Sequence, residues 1–105
     1  MARLILSDGI QLARAAIEAA LATEGVHSMG RGRYAEAATY EGSEKVSGVV
    51  VGPEDLEIHI VATYPLPRPI PEIAENIRER VAPQAGGRRT MVVVEDLEVG
   101  EDERL

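Results

Sequence analysis

The sequence contains few side chains of the kinds that bind metals or act as nucleophiles. Its 105 residues include no cysteine, and the two histidines, His27 and His59, lie far apart along the chain. A zinc site needs several clustered ligands, so this spacing predicts no metal site. His59 falls in an alternating segment, where we expect a solvated histidine at the surface or edge of a sheet. No cofactor and no catalytic residue are predicted.

The acidic pairs and the glycines do not form a recognisable active site either. Glu54 and Asp55 lie in a predicted hairpin turn, and residues 101–103 lie in an acidic tail. Neither position offers the burial that separates the pKa values of a general acid and a general base. The sequence Gly-Arg-Gly-Arg at residues 30–33 lacks the strand-to-helix context of a phosphate-binding loop. We interpret it as a flexible surface loop, and we expect the chain not to be an enzyme.

Arginines beside aromatic rings are the main argument for nucleic-acid binding. Arg31 and Arg33 precede Tyr34 and Tyr40, a combination that can hold single strands. However, the net charge of −7 repels phosphate backbones, and no two glycines are spaced as in the GxxG loop of KH domains. A small RNA-binding module of KH-like type is therefore the alternative hypothesis, and nucleic acid is the disfavoured partner.

The composition predicts one domain with an aliphatic core. Hydrophobic residues make up 45% of the chain, yet there is no Phe or Trp and only three Tyr. We expect a single domain over residues 1–97 and an acidic tail over residues 98–105. Without cysteine or a long apolar run, the sequence predicts a cytoplasmic protein that does not insert into a membrane by itself.

Two amphipathic helices are predicted from residues that recur every three or four positions. The first covers residues 7–23, with Ser7 as its N-cap and Gly25 as its stop. The second covers residues 71–81 and ends at Pro83 and the following glycines.

Strands are predicted at residues 34–40, 45–51, 56–64 and 90–94, where β-branched or alternating residues occur. The order α-β-β-β-α-β indicates an α+β, two-layer fold, with both helices on one face of a single mixed sheet of three to four strands. The strands before and after the second helix either pair in parallel or flank an intervening strand. In residues 56–64, the alternation places Glu57, His59 and Val61 on the outer face.

Three segments follow a pattern known from one protein family. They are the Ser-capped Ala/Ile helix ending in Glu24-Gly25-Val26, the alternating strand that closes in Val-Ala-Thr-Tyr at residues 61–64, and the sequence Ile-Pro-Glu-Ile-Ala-Glu-Asn-Ile-Arg-Glu-Arg-Val at residues 70–81 followed by a Val-rich strand. Together they resemble the alkaline-shock, or envelope stress-response, family. The match covers residues 7–26 and 46–97. The resemblance implies a non-enzymatic, cytoplasmic protein of cell-envelope homeostasis that self-assembles or docks to a membrane-anchored partner.

We therefore expect an interaction module that uses the sheet face left uncovered by the helices. The candidate interaction surface comprises Tyr34, Tyr40, Glu57, His59 and Val61. Its expected occupants are a protein partner, membrane-anchored or not, and further copies of the chain in a homo-oligomer.

Overall fold

The fold is organised around its longest internal strand, β5 (Asp55–Tyr64), which is paired on both edges. The structure is a computed structural model that describes residues 2–32 and 37–99. The other elements are α1 (Ala2–Leu21), β1 (Val26–Met29), β2 (Ala38–Glu41), β3 (Glu44–Ser47), β4 (Val49–Val51), α2 (Ile70–Ala85) and β6 (Arg89–Val99). The predicted α+β class, with helices packed on a sheet, is confirmed.

One edge of β5 pairs with a single long strand and the other edge is shared by two short strands. β6 runs parallel to β5 along its whole length, so the two strands that flank α2 are direct neighbours. On the other edge, β1 and β4 are antiparallel to opposite ends of β5. Between them, the His59 N–H donates to the Gly48 carbonyl (2.8 Å) and the His59 carbonyl accepts from the Gly30 N–H (2.7 Å).

Both helices pack on the face of β5 that carries its aliphatic residues. Leu56, Ile58, Ile60 and Ala62 have no exposed surface, and all but Ala62 belong to one core cluster with residues of α1 and α2. The helix α1 contributes mainly alanines, which allow its backbone to approach the sheet closely, whereas α2 contributes larger side chains. The cluster residues are Ile10, Leu12, Ala13, Ala16 and Ala20 of α1 and Ile73, Ile77, Val81 and Ala85 of α2.

The helices are longer than their sequence patterns predicted. The helix α1 begins at Ala2, so Ser7 lies inside it and the predicted N-cap is wrong. Good helix formers precede Ser7, and this allows the helix to extend further towards the N-terminus. The predicted stop at Gly25 is wrong, because α1 ends at Leu21. Gly25 instead lies in the turn before β1 with a φ of 100°, and a Cβ there would lie 2.6 Å from Cδ1 of Ile73.

The helix α2 continues past Pro83, which was predicted to end it. It runs to Ala85 and stops at Gly86, whose left-handed backbone (φ 63°, ψ 34°) forms the C-cap. A proline removes one hydrogen bond near the helix end but does not prevent the last turn from forming there. The flexible backbone of glycine is what terminates the helix.

The chain between α1 and β5 differs most from the prediction. Residues 26–29 form β1, a strand that was not predicted, and the run 45–51 is divided into β3 and β4 at Gly48, where φ is 97°. β2 and β3 form a separate two-stranded sheet, so the prediction of a single sheet is wrong. Of the strand predicted at 34–40, residues 38–40 belong to β2, and residues 33–36 lie outside the described residues.

The C-terminal strand is also longer than the sequence indicated. β6 extends from Arg89 to Val99 because its pairing with β5 continues through a bulge between Val94 and Asp96. The boundary predicted between domain and tail at residues 97 and 98 therefore falls inside a strand. Residues 100–105 of the predicted tail lie outside the described residues.

Candidate functional site

The outer face of the sheet, opposite the helices, is formed by alternate residues of β5 and β6. Glu57 pairs in register with Met91, and His59 pairs with Val93. We define the outer face by Glu57, His59 and Val61 of β5 with Met91, Val93 and Glu95 of β6. Three of the five residues expected in the interaction surface are thus brought together.

His59 is the buried centre of this face. Only 9% of the residue is exposed, so the expectation of a solvated histidine is wrong. Its Nδ1 lies 2.7 Å from Oε2 of Glu95, and its Nε2 lies 2.7 Å from Oε1 of Glu57. Because ionised carboxylates only accept hydrogen bonds, both contacts are satisfied together when both ring nitrogens carry hydrogen. The three side chains form one hydrogen-bonded cluster, in which the imidazole of His59 lies between two carboxyl groups.

Glu95 is held in place by the loop that follows β1. Its Oε1 accepts the Arg31 N–H (3.1 Å), and its Oε2 accepts the Gly32 N–H (2.5 Å) as well as the His59 contact. A Cβ at Gly30 would overlap the Glu95 carboxyl group, so this close approach requires glycine. The segment interpreted as a flexible loop therefore does bind a carboxylate, one that belongs to the same chain.

The β-bulge in β6 explains how Glu95 reaches both the loop and the histidine. The register with β5 shifts between the pairs Ile60–Val94 and Val61–Asp96, which leaves Glu95 as the extra residue. Bulges redirect a side chain while the strands on either side stay paired. Here the redirected side chain joins β5, β6 and the loop after β1.

The hydrogen bonds determine the charge state of Glu95. Burial alone would raise the pKa of this carboxyl group. The bonds from His59 and from the N–H groups of Arg31 and Gly32 act in the opposite direction and hold the pKa below its ordinary value. Glu95 is thus a fixed negative charge at neutral pH.

Beside the cluster, the outer face has an open depression of about 720 Å³. It is lined by the loop after β1 and by outer-face residues, namely Met29, Gly30, Arg31, Gly32, His59, Val61, Val93, Glu95 and Asp96. Both ring nitrogens of His59 are bonded within the chain, so neither is presented to a molecule in the depression. The described residues contain no group of three side chains arranged to hold a metal ion. The depression is therefore a concave surface that carries both apolar and polar side chains.

The tyrosines expected in the same surface lie elsewhere or outside the described residues. Tyr40 is in β2, in the second sheet, where 63% of it is exposed and the ammonium group of Lys45 lies 5.7 Å from its ring centre. Tyr34 is among residues 33–36, outside the described residues. The structure therefore does not bring Tyr40 together with Glu57, His59 and Val61 on one sheet face.

Sequence reasoning missed Glu95 and the function of the loop at residues 30–32. A signal was available, because the alternation of Met91 and Val93 extends to residue 95 on the same face. That signal could be read only with the parallel register of β5 and β6, which the sequence left open.

Neither described helix is long and apolar enough to cross a membrane. Comparison of the chain with protein-family models, with curated proteins and with solved structures gives no match.

Proposed function

We propose that this chain is a non-enzymatic interaction module whose outer face docks a protein partner. The observation that supports the proposal is the one-sided placement of the helices, which pack together on the aliphatic face of β5. The opposite face retains exposed apolar surface, with Met91 and Val93 each 37% exposed. Apolar surface next to fixed polar groups is typical of protein-binding sites.

The chemistry of the outer face indicates the kind of partner. The cluster around His59 contains two carboxyl groups, and 38% of the Glu57 side chain is exposed. Asp96 adds a further acidic group at the rim of the depression. A partner that presents apolar side chains flanked by lysine or arginine would complement this surface.

The proposed cellular role follows the resemblance to the alkaline-shock family. In this proposal the chain acts in the cytoplasm in cell-envelope homeostasis, and a membrane-anchored partner or self-association brings it to its place of action. The net charge of −7 supports a partner with basic groups over an anionic lipid surface.

The RNA-binding alternative receives less support from the geometry. Arg31 lines the depression on the outer face, whereas Tyr40 belongs to the second sheet and is in contact with Lys45. The predicted combination of arginines with stacking rings on one surface is therefore not formed by these two residues.

Charge changes on the outer face test the proposal. We expect Glu57→Lys and Val61→Lys to lose proteins that the wild-type chain retains from cytoplasmic and membrane fractions of its source cells. Glu75→Lys is the matched control, because Glu75 lies on α2 with 58% of its side chain exposed. Far-UV circular dichroism establishes that each variant is folded. Retention of the same proteins by the folded outer-face variants and the control would refute docking at this face.

A further inference from the structure

β6 leaves one edge of its backbone without a strand partner among the described residues. The Arg89 N–H donates to the Glu54 carbonyl (2.9 Å), so the backbone of Arg89 points towards β5. Successive residues of a strand point their backbone groups in opposite directions, which turns Thr90, Val92 and Val94 away from β5. The Thr90 carbonyl accepts a hydrogen bond from the side chain of Arg78 in α2 (3.2 Å), which agrees with a backbone that points away from β5.

On the other side of the sheet, hydrogen bonds from β2 cover the edge of β4. There, the hydroxyl of Thr39 in β2 donates to the Val49 carbonyl of β4 (2.5 Å) and accepts the Val51 N–H (3.2 Å). Within residues 2–32 and 37–99, no strand or side chain hydrogen-bonds to the outward backbone of Val92 and Val94. A long edge strand with exposed apolar residues is a template for pairing with another strand.

The charges along β6 determine which strand fits. Arg88 precedes the strand and Arg89 begins it, its C-terminal half carries acidic residues at positions 95, 96 and 98, and residues 91–94 are apolar. A second copy of β6 in the antiparallel direction places the basic start of each strand beside the acidic end of the other. A parallel copy would place like charges together, which is unfavourable. We propose that two copies of this chain associate through antiparallel pairing of their β6 edges.

One register satisfies both the backbone and the side chains. With the two-fold axis at Val92, Val92 lies opposite Val92 of the second copy, and Thr90 lies opposite Val94. These are the residues whose backbone groups point outwards, so they form the hydrogen-bonded pairs. The Val94 N–H of the second copy then takes the place of the Arg78 guanidinium at the Thr90 carbonyl.

The same register produces favourable pairs on the outer face. Met91 lies opposite Val93 of the second copy, which covers apolar side chains that are each 37% exposed. Arg89 lies opposite Glu95, and the bulge at Glu95 ends the regular pairing. The two sheets become continuous, and their outer faces lie side by side.

The inference rests on the self-association part of the proposed function, and it assigns self-association to the edge of β6. The pairing depends on the backbone edge of β6, whereas the docking test uses Glu57 and Val61 of β5, although Met91 and Val93 contribute to both surfaces. The two proposals therefore fail separately. Glu57→Lys should abolish docking and leave the pairing of copies unchanged.

Removal of one outward N–H tests the pairing. We expect the wild-type chain to be a dimer by analytical ultracentrifugation, and Val92→Pro to raise the dimer Kd at least about tenfold through loss of the hydrogen bonds at the two-fold axis. Proline is tolerated where a strand N–H faces solvent, so the variant should fold. Val92→Thr keeps the N–H and the β-branched shape and should dimerise like the wild type. A wild-type monomer, or an unchanged Kd for Val92→Pro, would overturn the proposal.

Amide hydrogen exchange of the wild-type chain gives a second test that needs no substitution. The amides of Val92 and Val94 should exchange more slowly as the protein concentration rises, because pairing covers them. The amide of Val93 points towards β5 and should be protected at every concentration. Rapid exchange at Val92 and Val94 in a dimeric sample would exclude the β6 edge as the interface.

Discussion

At the scale of single residues, the outer face depends on one histidine that is buried without being in the core. His59 is 9% exposed, and ring nitrogens removed from water are costly to leave unpaired. The carboxylates of Glu57 and Glu95 satisfy both nitrogens, and the loop at residues 30–32 fixes Glu95 in turn. The cluster therefore stabilises the connection between β5, β6 and the loop.

The lowered pKa of Glu95 predicts a stability that depends on pH. A carboxyl group whose pKa is lower in the folded chain than in the unfolded chain stabilises the fold above its unfolded pKa and loses that contribution as pH falls through its folded pKa. We expect Glu95→Gln to lower the free energy of unfolding at neutral pH. The difference from the wild type should shrink as the pH falls below 4.5, the ordinary value for this group. Urea unfolding at a series of pH values measures it.

The control for this prediction is Glu98→Gln, which removes one negative charge from an exposed residue of the same strand. Its difference from the wild type should stay small at every pH. A Glu95→Gln difference that is constant from neutral pH to pH 3 would show that ionisation of Glu95 does not stabilise the fold.

At the scale of elements, α2 is held on the sheet by one aliphatic stripe. Ile77 has no exposed surface and belongs to the core cluster with Ile73 and Val81. Removing most of a buried aliphatic side chain loses its transfer free energy and leaves a cavity. The helix position thus depends on a few large residues facing the alanines of α1.

We expect Ile77→Ala to lower the free energy of unfolding by about 2 to 5 kcal/mol. Ile70→Ala makes the same change at the start of the same helix, where the side chain is 36% exposed, and should cost less than about 1 kcal/mol. Guanidinium unfolding of both variants measures the difference. Equal effects at the two positions would contradict the packing of α2 described above.

At the scale of the whole molecule, the net charge is strongly negative, and some of the acidic residues lie on the outer face. The chain has 18 acidic residues and 11 Lys and Arg, a net charge of −7. Several of the basic side chains are paired with acidic ones, as Arg14 is with Glu44 and Arg68 is with Glu24 and Glu72. The molecule therefore attracts a partner with basic groups more strongly than it attracts a phosphate backbone.

We expect titration with single-stranded RNA to show no binding that weakens steeply between low and moderate salt. Phosphate contacts release counterions, so such a salt dependence is the signature of true nucleic-acid binding. Fluorescence anisotropy of a labelled oligonucleotide at two salt concentrations measures it. Tight binding with a steep salt dependence would favour the KH-like alternative over the interaction module.

The sequence alone determined the two amphipathic helices, the inward and outward residues of β5, and the absence of cysteine chemistry, because periodicity and composition are local properties of the chain. Tertiary structure decided which distant segments come into contact, because local patterns carry no information about such contacts. The parallel register of β5 and β6, with its bulge, brought Glu95 to His59 across 36 positions of the chain. It also placed Tyr40 in a second sheet. Contacts between distant segments depend on how strands pair, and that pairing is selected by the packing of the whole domain.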